Sequence, residues 1–97
     1  MTKLPNKITI TITPEDAEKA CSYYDRHSCL LGAAVQRELG LEAGQIICGG
    51  TTIDLCGTRY KLGSRGGTKV TNSYSHPAEY DSRPTVRKPF KVHLSKV

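Results

Sequence analysis

An α+β fold is predicted for this chain: a small antiparallel or mixed sheet of about four to five strands, with two short N-terminal helices packed on one face. Three stretches predict it. Residues 7–13 read K-I-T-I-T-I-T, placing Ile8, Ile10 and Ile12 on one side and Thr9, Thr11 and Thr13 on the other, which is the period of a half-buried strand. Thr13-Pro14-Glu15-Asp16 is a helix start, because Thr caps, Pro suits the first helical position and carboxylates complement the positive helix end. Behind Pro89, Phe90, Val92 and Leu94 alternate with Lys91 and His93, so a last strand with a basic outer face follows.

The elements between follow from local signals. The helix from Pro14 is expected to stop near Cys21, since residues 22–28 lack helical periodicity. Ser28 caps a second helix in which Leu31, Val35 and Leu39 share a face with Ala34, Gln36 and Arg37 point outward, and Gly40 ends the run. Residues 45–56 read as a hairpin around Gly49-Gly50, with Ile53 and Leu55 inward and Asp54 outward. A second bend is expected at Gly57-Thr58, then a strand segment over 59–62 with Tyr60 and Leu62 inward. Residues 63–75 carry G-S-R-G-G-T-K without an apolar period and are expected to be a mobile loop. Residues 77–81 suit one helical turn and 83–88 an extended basic linker. The first and last strands are expected to be neighbours.

At 97 residues the chain has room for one domain, residues 1–97, and little room for a deep enclosed active site. No stretch reaches the roughly 20 apolar residues that span a bilayer, and residues 1–7 hold no apolar signal core. The expectation is a cytoplasmic protein with no membrane partner. Cys21, Cys29, Cys48 and Cys56 stand in two pairs, each eight residues apart, whereas structural zinc usually takes pairs two to four apart. Small buried thiols are therefore expected, with no metal and no cofactor.

Charge is distributed unevenly. Residues 1–56 hold five basic and seven acidic side chains, and residues 57–97 hold nine basic and two acidic, so the balance runs from −2 to +7. Such asymmetry is the footprint of contact with an anionic surface. The expected binding residues are Arg59, Lys61, Arg65, Lys69, Arg83, Arg87 and Lys88, with Lys91 beside them and Tyr23, Tyr24 and Tyr74 as candidate aromatic anchors. Residues 63–69 resemble a phosphate cradle but lack G-K-[ST] and are no P-loop. No helix-turn-helix, finger or ribonucleoprotein motif occurs.

Catalysis finds no constellation. Cys29 at a helix entrance with His27 nearby is the best nucleophile candidate, yet residues two apart there point in different directions. Asp25, His76 and His93 stand alone, and Glu79/Asp81 decorates a turn. The chain is expected to be no enzyme.

Ile10 to Thr13, Cys29 with the Ala/Leu-rich run to Leu39, Gly49-Gly50 through Arg59-Tyr60-Lys61-Leu62, and Pro89-Phe90-Lys91-Val92 resemble, in order and spacing, a loose group of small phage- and prophage-encoded accessory proteins. Those relatives carry a C-x-x-C-P entry to the helix, where this chain has Arg26 and Leu30. The departure weakens the metal reading that the cysteine pair would otherwise imply. They are also helical where residues 68–76 look irregular. The resemblance implies an inhibitor of host defence of the anti-CRISPR kind, docking on a host protein or ribonucleoprotein complex. A small DNA- or RNA-binding protein is the alternative, and a binder of nucleotide signals through residues 63–69 ranks below it.

Overall fold

The computed structural model describes residues 4–20, 29–49, 51–74 and 84–97. Alternation builds the sheet: β1 (Lys7–Ile12), β2 (Ile46–Cys48), β3 (Thr52–Leu55), β4 (Thr58–Leu62) and β5 (Phe90–Lys96) form five strands in the order β1-β5-β4-β3-β2. Every pairing is antiparallel, and the first and last strands are neighbours, with Ile10 opposite Val92. The register puts Ile8, Ile10, Ile12, Val92, Leu94, Leu62, Tyr60, Ile53, Leu55 and Ile46 on one face, all buried. Tyr60 is wholly enclosed there, and its hydroxyl donates to Pro5 O at 2.6 Å.

Three helices accompany the sheet: α1 (Pro14–Lys19), α2 (Leu30–Leu39) and α3 (Ser64–Asn72). At the α1 start Thr13 Oγ1 accepts from Asp16 N–H, and Asp16 Oδ2 accepts from Thr13 N–H at 2.9 Å, a full capping box. α1 packs chiefly on α2, and α2 reaches both edge strands, β1 and β2. Leu30, Leu31, Ala34 and Val35 supply the buried face of α2, and Gly40 ends it at φ 66°.

Arg37 is expected to face solvent, and its side chain is 39% exposed, yet the head turns back. Its Nε and Nη2 donate to the two oxygens of Asp16 at 2.8 and 3.0 Å, and Nη2 also donates to Thr11 O. Glu38 Oε1 accepts from Thr11 N–H at 3.1 Å. The outer rim of edge strand β1 at Thr11 is thus covered by two α2 side chains, which blunts it as a template for another strand. Burial alone would push the Asp16 carboxyl up. Hydrogen bonds from Arg37 and Thr13, with the guanidinium charge, outweigh that and hold it below its ordinary 3.8.

The loop expected over 63–75 is corrected by α3. Its inward positions are Gly66, Val70 and, just past the helix, Tyr74, spaced one helical turn apart, so the period is present but its first member has no side chain. A Cβ on Gly66 would lie 2.9 Å from Val92 Cα; α3 sits so close to β5 that only hydrogen fits. The second bend also falls one residue early. Leu55 pairs with Thr58, and Cys56 and Gly57 form the turn with φ of 52° and 85°, the two positive values of a primed hairpin turn. Gly50, the proposed turn at 77–81 and residues 21–28 lie outside the described residues.

Candidate functional site

The basic residues separate onto two sides of the molecule. On the sheet face away from the core the register sets Lys7 opposite Ser95, Ser95 opposite Lys61 and Lys61 opposite Thr52, giving one row across four strands. Thr9 with His93 and Thr11 with Lys91 continue the same face. Lys7, Thr9, Lys61, Lys91, His93 and Ser95 are all exposed. His93 Nδ1 lies 3.1 Å from Thr9 Oγ1, a cross-strand contact.

Arg59 belongs to this face but is engaged. It stands opposite Asp54, and its Nε donates to Asp54 Oδ1 at 3.0 Å, which raises the guanidinium further above its ordinary value. Its charge is therefore locally balanced.

The second gathering is a shallow notch of about 260 Å³ where α3 ends and the chain enters β5. Lys69, Arg87 and Lys88 rim it, while Val86 and Phe90 form an apolar floor. The Lys69 ammonium lies over the Phe90 ring, 5.8 Å from its centroid. Thr85 N–H donates to Ser73 O at 2.7 Å and Tyr74 bridges to Pro84, so the notch walls are tied together. Lys69 also benefits from the negative end of α3.

Arg65 is exposed in the first turn of α3, one turn before Lys69. A cation there opposes the helix dipole, and the two like charges repel. Helix α3 also changes the phosphate-cradle expectation, since residues 64–69 are helical and do not form a looped nest.

Tyr74 is corrected as an exposed anchor. It is 3% exposed, and its hydroxyl accepts from Leu30 N–H at 2.9 Å. The N-cap of α2, Cys29, makes no side-chain capping bond, so a tyrosine distant in sequence caps that helix. Nothing local to either residue signals this. Tyr23, Tyr24, His27, Cys21, His76 and Arg83 lie outside the described residues.

Cys29 is buried, Cys48 half-buried and Cys56 exposed at the hairpin tip. Among the described residues no group of three His, Cys, Asp or Glu is placed to hold a metal, and no helix is long and apolar enough to cross a membrane. A hollow of about 440 Å³ beside the C-terminal ends of α1 and α2 is lined by Lys19, Ala33, Gln36, Arg37, Gly40 and Leu41, with Arg37 committed to Asp16. Comparison with protein families, curated proteins and solved structures finds no match to the chain.

Proposed function

We propose that this chain is a non-enzymatic binding protein that docks on an acidic patch of a host protein through the α3–β5 notch and works by occupying that surface. The observation that carries the reading is the meeting of an apolar floor, Val86 and Phe90, with a rim of Lys69, Arg87 and Lys88. Stable protein interfaces join a desolvated apolar centre to a polar rim. None of the three rim cations has an ion-pair partner among the described residues. Arg65 lies outside the notch lining but is exposed one turn before Lys69 on α3, a further cation held against the local preference of its helix. The resemblance to phage and prophage accessory proteins makes the partner we favour a component of a host defence system, met in the bacterial cytoplasm. Both N-terminal helices, on this reading, build the covered side of the sheet and take no part in contact.

The test pairs capture with function. The tagged chain and its Arg87→Glu/Lys88→Glu variant are offered to extract of the bacterial host, and the captured assembly is assayed with and without added chain. A stoichiometric partner bound by the wild type, lost on double reversal and slowed by the chain is expected. Identical capture by both proteins would end the proposal.

A further inference from the structure

The uncovered face of the sheet asks for a different occupant. Lys7, Lys61 and Lys91 stand on it exposed, with no carboxylate paired to any of them among the described residues. The face has one acidic residue of its own, Asp54, which Arg59 occupies. At the β1 edge Glu38 approaches Thr11, but it takes the Thr11 N–H and lies 3.7 Å from Arg37. Three positive charges are left facing water.

What lies between them narrows the chemistry. Ser95 sits between Lys7 and Lys61 in one row, with Thr52 beyond Lys61 and the Thr9–His93 pair next along the strands, so small hydroxyls lie where oxygen acceptors would rest. Strand spacing places the Lys7 and Lys61 Cα atoms about 10 Å apart, and Lys91 lies about 14 Å along β5 from Ser95. Flexible lysine arms on such a frame reach phosphates on both sides of a duplex groove about 6–12 Å wide. The large exposed apolar side chains here are Ile47, at the β2 edge and 46% exposed, and Val97, beyond the end of β5 beside Arg59 and 78% exposed, set at separate margins of the face and too little for the dry centre of a protein interface. Tyr, Phe and Trp rings are missing from it among the described residues, since Tyr60 and Tyr74 are buried and Phe90 lines the notch, which leaves the His93 imidazole, in contact with Thr9. One small ring is a poor platform for the successive bases of a single strand.

We propose that this sheet face binds duplex nucleic acid through its phosphates, with Lys7, Lys61 and Lys91 as the contacts and without reading base sequence. The face is independent of the α3–β5 notch, so either surface can fail without the other. Lysine point charges and hydroxyls position a backbone but carry no base code.

Fluorescence anisotropy with two 20-base-pair duplexes of unrelated sequence, across a sodium chloride series, tests it. Equal binding to both is expected, with log K falling against log salt at a slope of about −3, close to 0.9 per phosphate contacted. Lys7→Ala should flatten the slope by about one. Lys61→Glu/Lys91→Glu should abolish binding, with Lys61→Gln/Lys91→Gln as a milder variant if the reversal disturbs folding, checked by circular dichroism. Arg87→Glu/Lys88→Glu should bind duplex with a slope no more than slightly changed. Salt-independent binding, binding undiminished in both sheet-face double variants, or polyglutamate bound as tightly as duplex would overturn the proposal. A wild-type chain that binds duplex but captures no protein partner would sink only the notch reading, and one that captures a partner but binds no duplex would sink only this one.

Discussion

Helices α2 and α3 both pack against the sheet, and they are held by opposite means. α2 presents Leu30, Leu31, Ala34 and Val35 to the core and adds a charged lock, Arg37 on Asp16 and the Thr11 carbonyl. α3 presents an absence: Gly66 lets its backbone approach Val92, and Val70 is its one large buried side chain. One helix is attached by what its residues carry and the other by what one residue lacks. The first kind of attachment is written in the hydrophobic pattern, and the second hardly shows there.

Removing the α2 lock should have the largest effect on stability. In Asp16→Ala the guanidinium loses a bidentate partner and α1 loses half its capping box. Because Arg37 reaches solvent, the loss should fall toward the lower part of the range for a broken buried pair, about 2–4 kcal/mol in chemical denaturation at neutral pH. The folded carboxyl holds its proton less readily than the unfolded one. Its contribution is therefore complete above the ordinary 3.8 and disappears as pH falls below that through the folded value. Asp16→Asn, measured from about pH 5 down to about pH 2, should lose less stability over that fall than the wild type. Parallel curves for the two proteins would show that the lock contributes nothing.

The corresponding break at α3 is an addition. Gly66→Ala forces a methyl to 2.9 Å from the Val92 backbone, and overpacking of that kind costs about 1–3 kcal/mol. Gly67→Ala is the control within the same helix, since its Cβ would meet Leu62 at an ordinary 3.9 Å. Relief from glycine should stabilise α3 there by up to about 1 kcal/mol. Thermal unfolding of the two variants should therefore shift in opposite directions. A common direction would mean that close approach to β5 does not decide the position of α3.

This contrast also explains what the sequence discloses. Strand β1, the alternation of β5, the Thr13 cap and the Gly40 stop are all readable, because each rests on residues within a few positions of one another or on strict alternation. α3 hides because its turn-spaced face begins with glycine, which reads as a loop signal. Tyr74 reads as a surface ring because its partner, the Leu30 N–H, is 44 residues away. Arg37 reads as solvated because Asp16 already has a local role as a helix-start carboxylate. Of the binding residues, the charge pattern locates the basic half of the chain but not its division. Arg59 and Lys61 fall on the sheet face and Lys69, Arg87 and Lys88 around the notch, a split that requires knowing which side of the sheet each strand residue faces.

Tyr74 joins the two helices and offers an intermediate break. Tyr74→Phe keeps the ring but leaves the Leu30 N–H without its acceptor at an end where Cys29 makes no side-chain capping bond. A buried donor left unmet costs about 1–2 kcal/mol. Amide hydrogen exchange should speed up in the first turn of α2 more than in α3. Equal acceleration in both helices would show that the ring's packing matters and its hydroxyl does not.

The smallest effect on stability is expected where the Asp–Arg pair recurs in the open. Asp54 and Arg59 meet at 3.0 Å, much as Asp16 and Arg37 do, yet the Arg59 side chain is 64% exposed and neither partner is enclosed. Water screens both charges, so Asp54→Ala should leave the unfolding midpoint unchanged within error. Its effect should appear on the surface instead. Freed from Asp54, Arg59 would join Lys7, Lys61 and Lys91 as an uncompensated cation on the sheet face, and the salt slope of duplex binding should steepen by about one. A shifted midpoint with an unchanged slope would reverse the assignment: the exposed pair would then be structural, and the buried carboxylate of Asp16 would no longer explain why one pair is a lock and the other is not.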